Sequence, residues 1–414
     1  MLRDTKPAAI AQEIMSPTSF TGCVLQVVPE LDTGGVEQTV VDISEAIIEA
    51  GGRSIVATKG GRLEKQLLRK GAKIVHLPIQ SKNPFVQWRN YQALRRIIRA
   101  ESVDIVHVRS RAPAMAAIEA AKAEGVRSVA TYHGIYNAKS ALKRWYNSQM
   151  TQADMTIANS DFTAAHIIKA YPKVPPERVI SIPRGIDLRR FDPEAFDVRK
   201  VMDLEASWGI DIGANDADSK IRFLLAARLT RWKGQELIVE AAKRLRDQGF
   251  ANFVVFMAGD DQGRSDYTEG LQKQIATYEL ADHIRLVGHV SDMPSAYTAC
   301  HYALAPSLEP EAFGRTAVEP QAMQRPPLAA DQGATVETVL PGETGWLVKA
   351  GDAQAWADAM RHAMSLNEES RFAMGKRGRE HVRRLFSLQQ MCNRTLDVYC
   401  ALLILQERKY TAPL

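Results

Sequence analysis

The sequence of 414 residues has few cysteines and no long hydrophobic run. Its four cysteines, Cys23, Cys300, Cys392 and Cys400, lack CxxC spacing, so they indicate neither a zinc site nor a disulfide framework. No run approaches the ~18–20 apolar residues of a membrane-spanning helix. The first 20 residues also lack the apolar centre of a secretion signal. We therefore expect a cytoplasmic protein.

Two common phosphate-binding motifs are missing as well. The first strand-to-helix turn is not GxGxxG, so the dinucleotide fingerprint is absent, and the chain contains no GxxxxGK[ST], which argues against a P-loop enzyme. The composition is 45% hydrophobic and 24% charged, as in ordinary globular proteins, and this excludes disorder, collagen and coiled coil as the main architecture. A chain of this length favours two domains.

Negative charge is scarce in one region. The whole chain carries 53 basic and 48 acidic residues, whereas residues 51–150 carry 19 basic and 5 acidic ones. A local excess of this size predicts an anionic partner, although a solvated basic surface would have the same composition. The region has no recognised nucleic-acid motif and interleaves its charges with core positions, so we do not expect a nucleic-acid partner.

Short β-branched runs alternate with helical stretches in two series, which predicts an α/β protein with two Rossmann-like parallel-sheet domains facing a cleft. The first series runs from Cys23–Val28 to Met155–Ala158, and the second from Phe223–Ala227 to Trp346–Val348. Between them, Asp187–Ser219 has little regular periodicity and is interpreted as an inter-domain segment. The predicted organisation is an N-terminal tail (1–20), an N-terminal domain (21–190), a C-terminal domain (191–385) and a C-terminal helix that packs back toward the first domain (386–414).

In the first half, two features follow predicted strands. Gly34 and Gly35 form a turn before a helix, where backbone N–H groups can approach an anion closely, or where the glycines simply make a turn. His133 stands at the end of a strand before a glycine, a position from which it could enter a cleft or act as a structural histidine.

In the second half, Arg228 and Lys233 flank a strand-to-helix loop, where a diphosphate would find two cations and a helix start. Glu311 and Glu319 are eight residues apart, one in a glycine-containing loop and one in the helix after it. Carboxylates placed in this way suit ligands rich in hydroxyl groups. The Asp260-Asp261 turn offers too few oxygen ligands to predict a metal site.

These segments together resemble the retaining, family-4 type of the GT-B glycosyltransferases, over roughly residues 22–390. The most specific part is Glu311-Ala-Phe-Gly-Arg-Thr-Ala-Val-Glu319, which is similar to the E-x7-E motif of that family. The resemblance implies that the C-terminal domain binds a nucleotide-diphosphate sugar and that the N-terminal domain binds the acceptor.

The resemblance also implies roles for individual residues. Arg228 and Lys233 would hold the diphosphate, Glu319 the ribose and Glu311 the sugar hydroxyls, while His133 would contact the donor sugar. The backbone around the first turn and at the second helix start would approach the phosphates or the reacting centre, through Gly34, Gly35, Gly314, Arg315 and Thr316. We expect no cofactor and no metal ion, because two cations and a helix start are available to stabilise the leaving diphosphate.

Two other functions stay open at this stage. A GT-B-type nucleotide-sugar 2-epimerase would share the nucleotide site but need no acceptor, and a catalytically silent scaffold would only bind the sugar nucleotide. One residue departs from the family pattern, since Gln324 stands where related proteins usually have glycine at a helix end. We expect Gln324 to strain that end or to shift it by a residue.

The basic region suggests a class of acceptor. Trp88, Tyr91, Leu94 and Ile98 recur at helical spacing, with Arg95, Arg96 and Arg99 beside them, and a second basic-aromatic stretch runs over 139–146. Such apolar spacing also describes the buried face of a crossover helix. We predict peripheral binding to the anionic inner membrane surface and hexosyl transfer to an anionic or lipid-linked glycan, such as a lipopolysaccharide core or polysaccharide precursor.

Overall fold

The computed structural model describes residues 19–32, 34–136, 140–210, 220–263 and 265–411, with side chains to residue 406. The chain divides into two compact units: residues up to Gly185 together with the segment from Leu388 form the first, and Ile186–Ser387 form the second. Of the predicted N-terminal tail, residues 1–18 lie outside the described residues. Phe20 corrects the end of that tail, because its ring is buried and its N–H donates to the Ala50 carbonyl (2.8 Å).

The first unit contains a parallel sheet of seven described strands in the order β3-β2-β1-β4-β5-β6-β7. These strands are β1 (Cys23–Val27), β2 (Arg53–Thr58), β3 (Lys73–His76), β4 (Ile105–Val108), β5 (Arg127–Tyr132), β6 (Met155–Ala158) and β7 (Val179–Ser181). Their largely apolar composition follows from burial on both faces of a parallel sheet.

Helices cover both faces of this sheet. They are α1 (Gly35–Glu49), α2 (Glu64–Arg69), α3 (Pro84–Ala100), α4 (Arg111–Glu124), α5 (Ala141–Ser148) and α6 (Asp161–Ala170). Helices α3, α4 and α6 pack on the side of Leu25, and α1 packs on the side of Val24, as the alternation of strand side chains requires. The order of the strands reverses between β1 and β4, so the loops after these strands diverge at one edge.

The second unit repeats this design with six described strands in the order β10-β9-β8-β11-β12-β13. They are β8 (Ile221–Ala226), β9 (Phe253–Ala258), β10 (Ile284–Gly288), β11 (Tyr302–Ala305), β12 (Pro327–Ala330) and β13 (Trp346–Val348). The predicted fold class, two Rossmann-like parallel-sheet domains, is confirmed.

Its helices are α7 (Val198–Ser207), α8 (Gln235–Asp247), α9 (Ser265–Thr277), α10 (Met293–Thr298), α11 (Arg315–Ala322), α12 (Thr335–Thr338), α13 (Ala353–Ser365) and α14 (Glu368–Leu385). The unit begins and ends at one point, where Ile186 bridges Ser387 and its N–H donates to the Phe386 carbonyl (2.8 Å). The structure therefore divides the chain after Gly185 and after Ser387, rather than after residues 190 and 385.

Helix α7 corrects the interpretation of Asp187–Ser219 as an irregular segment. The Asp197 carboxylate caps this helix by accepting from the Arg199 N–H (3.0 Å), and Val201 and Trp208 are buried in the core of the second unit. The helix has only one narrow apolar face, and the acidic and glycine residues around it obscure the helical spacing of apolar residues in the sequence. The last part of the segment, residues 211–219, lies outside the described residues.

The final helix, α15 (Leu388–Thr411), belongs to the first unit although it follows the second in the chain. Its residues Leu396 and Tyr399 share one hydrophobic cluster with Val24 of β1. The Tyr399 hydroxyl and the hydroxyl of Thr131 in β5 each form a hydrogen bond with one ring nitrogen of His107 in β4. The helix thus completes one face of the first sheet.

Gln324 adopts a left-handed conformation (φ +56°) just after α11, where the sequence predicts strain. We expect Gln324→Gly to raise the free energy of unfolding by roughly 0.5–1 kcal/mol, because the strain relieved (roughly 1–2 kcal/mol) exceeds the entropy cost of glycine (roughly 0.5–1 kcal/mol). Chemical denaturation measures this change. Gln248→Gly is the control, since Gln248 ends α8 at an ordinary φ of −82°; equal destabilisation by both changes would contradict the assignment.

Candidate functional site

Four loops meet at the carboxyl edge of the second sheet, around the point between β8 and β11 where the strand order reverses. Backbone hydrogen bonds join these loops: the Leu229 N–H donates to the Asp260 carbonyl (3.1 Å), and the Leu308 N–H donates to the Trp232 carbonyl (2.7 Å). The Ala334 N–H donates to the Glu311 carbonyl (2.9 Å) in the same way. The edge is therefore a fixed surface built from residues distant in sequence.

Two glycines make this packing possible. Gly234 has φ +78°, and a Cβ there would lie 2.1 Å from the carbonyl oxygen of Pro306. Gly314 has φ +83° and directly precedes α11. Both conformations are costly for any residue with a side chain.

Lys233 and Glu311 form an ion pair at the centre of this edge. Their side chains are only 12% and 14% exposed, respectively. The Lys233 ammonium also lies 4.1 Å from the centre of the Trp232 ring, in a cation–π contact. The Ser307 hydroxyl donates to the same Glu311 oxygen as Lys233, Oε1 (2.6 Å), and Oε2 accepts nothing from the described residues. One carboxylate oxygen is thus anchored, and the other is available to a ligand.

Glu319 is held from two sides within α11. The Arg315 guanidinium donates to Oε1 (2.7 Å from Nε), and the buried Tyr297 hydroxyl donates to Oε2 (3.4 Å). Burial, and then the nearby Glu319 carboxylate, hold the pKa of Tyr297 well above its usual range, so its hydroxyl stays protonated and can donate to that carboxylate. The side chain of Glu319 is 10% exposed, while that of Arg315 is 45% exposed.

The remaining predicted residues of the second unit lie at the same edge. Arg228 is exposed, and its guanidinium donates to the Gln262 side chain (3.3 Å). Thr316 stands in the first turn of α11, where the backbone N–H groups of Arg315 and Thr316 have no acceptor within the helix. The structure thus brings together all seven second-unit site residues that the sequence predicts.

Some of the residues that position these site side chains are not predicted from the sequence. The buried Gln235 donates to the Arg228 carbonyl (2.9 Å) and accepts from the Tyr267 hydroxyl (3.1 Å), which fixes the loop that carries Arg228. Ser307 positions Glu311 as described above. No spacing rule finds these residues, because uncharged side chains such as Ser307 and Gln235 are common in loops and at helix starts.

The other predicted residues lie in the first unit. His133 follows β5, and neither of its ring nitrogens, both buried, has a hydrogen-bond partner among the described residues. Burial, with smaller contributions from Arg184 and Arg109, holds the pKa of His133 well below its usual range. The imidazole is therefore neutral and has both a donor and an acceptor to offer a ligand.

Gly34 and Gly35 stand at the start of α1, which follows β1 at the carboxyl edge of the first sheet. Gly34 has an extended backbone (φ −174°), which any residue can adopt, and a Cβ there would meet only the flexible end of Glu37. The turn is where the sequence predicts it, but backbone geometry does not require glycine at position 34.

Among the described residues, no group of three or more His, Cys, Asp or Glu side chains could hold a metal ion. Within the same residues, none of the helices is both long and apolar enough to cross a membrane.

Comparisons with known proteins agree with this arrangement. Residues 211–381 match the family described as "Glycosyl transferases group 1", and residues 33–190 match "Glycosyltransferase Family 4". A glycosyltransferase structure from Rickettsia africae is 31% identical and covers 92% of this chain and 99% of its own, with a TM-score of 0.84. The Anabaena protein HepE, solved with UDP and glucose, shares the fold (TM-score 0.75, 19% identity, covering 92% of this chain and 100% of its own).

A D-inositol 3-phosphate glycosyltransferase of Saccharomonospora viridis is 27% identical over 261 residues, which are 60% of this chain. The chain spans only 56% of the length of that relative. From the two family matches and the near-complete alignment with the Rickettsia enzyme, the chain belongs to the family-4 type of GT-B glycosyltransferases.

Proposed function

We propose that the protein is a retaining glycosyltransferase that moves a sugar, expected to be a hexose, from a nucleotide-diphosphate sugar to an anionic or lipid-linked glycan. The observation that carries this proposal is the Lys233–Glu311 pair beside the start of α11, at the carboxyl edge of the second sheet. This place combines the Lys233 ammonium, the first backbone N–H groups of α11, which have no acceptor within the helix, and the Oε2 atom of Glu311, which has no partner among the described residues.

The charges of the site suit this reaction. Cleavage of the sugar–phosphate bond builds negative charge on the diphosphate and positive charge on the anomeric carbon. Lys233, Arg228 and the start of α11 would stabilise the departing diphosphate. The free Oε2 of Glu311 would accept a hydrogen bond from a sugar hydroxyl, and Glu319 would accept from the ribose. The acceptor would attack from the face of the leaving group, and the departing phosphate oxygen would take its proton.

The donor proposal has further support. HepE, which shares the fold, was solved with UDP and glucose. His133 supports the sugar contact, since its neutral ring has two unpartnered nitrogens. We propose that it bonds to the donor sugar, as the family resemblance implies.

The acceptor proposal rests on the first unit. The basic excess in 51–150 favours an anionic acceptor, and one relative is named for an inositol phosphate. Pro84, Trp88, Tyr91 and Met115 line an apolar cavity of ≈ 310 Å³ between the first turns of α3 and α4, which follow strand ends of the first sheet. A lipopolysaccharide core or polysaccharide precursor fits this chemistry, and we propose a cytoplasmic enzyme in peripheral contact with the membrane.

The test is a transfer assay in which excess chelator is present. A screen of nucleotide sugars by thermal stabilisation first identifies the donor, because a ligand that binds only the folded state raises its stability. We expect this donor to glycosylate an anionic acceptor with retained anomeric configuration and at the full rate in chelator. An epimerised nucleotide sugar without acceptor would indicate the epimerase, inversion would exclude the mechanism, and rescue by magnesium alone would exclude metal independence.

A further inference from the structure

An open cavity of ≈ 440 Å³ lies on the first unit, apart from every residue of the candidate site. One wall is α5 with the turn after it, and the other is the segment from Ala170 to Arg178 between α6 and β7. Its volume is within the range of small-molecule sites. The reaction proposed above assigns no role to this cavity.

The walls of this cavity combine apolar and cationic groups. Trp145, Tyr171, Val174 and two prolines supply the apolar surface. Arg144, Lys173 and Arg178 supply three exposed cations, none of which forms an ion pair with a described side chain. Acidic residues are scarce, since 125–153 contains none and Glu177, the acid of the other wall, does not line the cavity. The lining therefore suits a ligand that is both anionic and apolar.

The rim of the cavity is unusually apolar for a surface that faces water. Leu142 is 73% exposed and Trp145 is 53% exposed, three residues apart on α5, so they extend on the same side of the helix. Tryptophan and leucine beside basic residues are typical of helices that lie in a membrane interface. A soluble phosphate would give these two side chains no partner, whereas a phospholipid bilayer gives them one.

The cations of this cavity differ in their pairing from Arg95 and Arg99 of α3. Arg95 and Arg99 both bind the Glu124 carboxylate (2.5 and 2.8 Å from their Nε atoms), and Leu94 and Ile98 are buried in the core. Arg95 and Arg99 are therefore paired within the protein, and Leu94 and Ile98 are buried. The cations around the α5 cavity have no such ion pair with a described side chain.

We propose that the α5 cavity binds the headgroup and upper acyl chains of an anionic phospholipid, with Leu142 and Trp145 inserted into the bilayer interface. The cations Arg144, Lys173 and Arg178 contact the lipid phosphate. This inference rests on the membrane contact in the proposed function, but not on the transfer reaction itself.

Sedimentation of the full chain with vesicles tests the inference. We expect binding to vesicles that contain phosphatidylglycerol and not to vesicles of phosphatidylcholine alone. The triple change Arg144→Gln, Lys173→Gln and Arg178→Gln should weaken binding roughly 100-fold, about fivefold for each cation. Leu142→Ser should weaken it as well, at low and at high salt, because its contribution is apolar.

A second triple change, Lys65→Gln, Arg69→Gln and Arg96→Gln, removes the same charge from exposed positions outside the cavity and should cost less than fivefold. Equal losses in the two triple variants would overturn the inference and leave only diffuse attraction. Absence of binding to anionic vesicles would overturn it too. Binding of the nucleotide diphosphate, measured by calorimetry without lipid, should be unchanged in all variants, and its absence in the unaltered protein would count against the proposed transferase instead.

Discussion

Replacing Lys233 with alanine should lower kcat by about 10²–10³-fold, the effect typical of removing one fixed donor from a developing negative charge. Lys233 is 12% exposed and held by Glu311 and by the Trp232 ring, so its ammonium is already in position before a diphosphate arrives. Steady-state kinetics with the donor identified above measures the effect.

The pairing with Glu311 allows a sharper version of this experiment. If Lys233 served only to hold Glu311, the double variant Lys233→Ala/Glu311→Ala would match Glu311→Ala alone. We expect the double variant to be slower, because the proposed function has Lys233 contact the diphosphate itself. Lys243→Ala is the control, since Lys243 pairs with Asp247 on the surface of α8 (2.6 Å) and should leave kcat unchanged. A kcat for Lys233→Ala within threefold of the unaltered protein would contradict the assignment.

The two glutamates should separate binding from turnover. Glu319→Ala should weaken binding of the free nucleotide diphosphate about ten- to a hundredfold, because a lost hydrogen bond to a charged group costs roughly 1.5–3 kcal/mol. Glu311→Ala should lower kcat by a similar factor and leave that binding near normal, because in the proposed function its free oxygen accepts from the sugar. Calorimetry measures the first effect, and kinetics at saturating donor measures the second.

The surroundings of Glu319 require a stability control for this prediction. Glu319→Ala also removes the acceptor of the buried Tyr297 hydroxyl and the partner of Arg315, so its thermal unfolding must be measured beside its affinity. Glu319→Gln keeps the shape and one acceptor, and should recover part of the affinity. Glu309 is exposed and lies in the loop that carries Glu311. Glu309→Ala should change neither the affinity for the nucleotide diphosphate nor the thermal unfolding. The reverse pattern, with binding lost in Glu311→Ala and turnover in Glu319→Ala, would show that the roles are exchanged.

Much of the fold could be predicted because buried parallel strands have a simple composition. The apolar runs Met155–Ala158 and Trp346–Val348 agree with the observed strands to the residue. Short or mixed elements were missed: β7 has three residues, and α7 buries one narrow face among charged residues. Elements that take their stability from tertiary packing leave a weak local pattern.

The site shows the same division between local and distant information. Arg228, Lys233, Glu311 and Glu319 could be chosen because charged residues after strands and at helix starts suit a charged ligand. Their neighbours could not. Ser307 is one uncharged residue among others in its loop, and the contacts of Tyr267 with Gln235 and of Tyr297 with Glu319 join residues far apart in the sequence. The sequence likewise could not show that Glu124 binds Arg95 and Arg99, two of the three arginines predicted to lie at a membrane surface.

The return of α15 to the first unit has a consequence for biosynthesis. The first unit is encoded in two pieces separated by Ile186–Ser387, so a nascent chain that has emerged through Gly185 still lacks the helix that carries Leu396 and Tyr399. At ~5–20 residues per second, the ribosome needs roughly 10–40 s to supply the intervening stretch. During that interval the apolar face around Val24 and Ile105 lacks the part of its cover that α15 supplies, and the second unit can finish folding before the first.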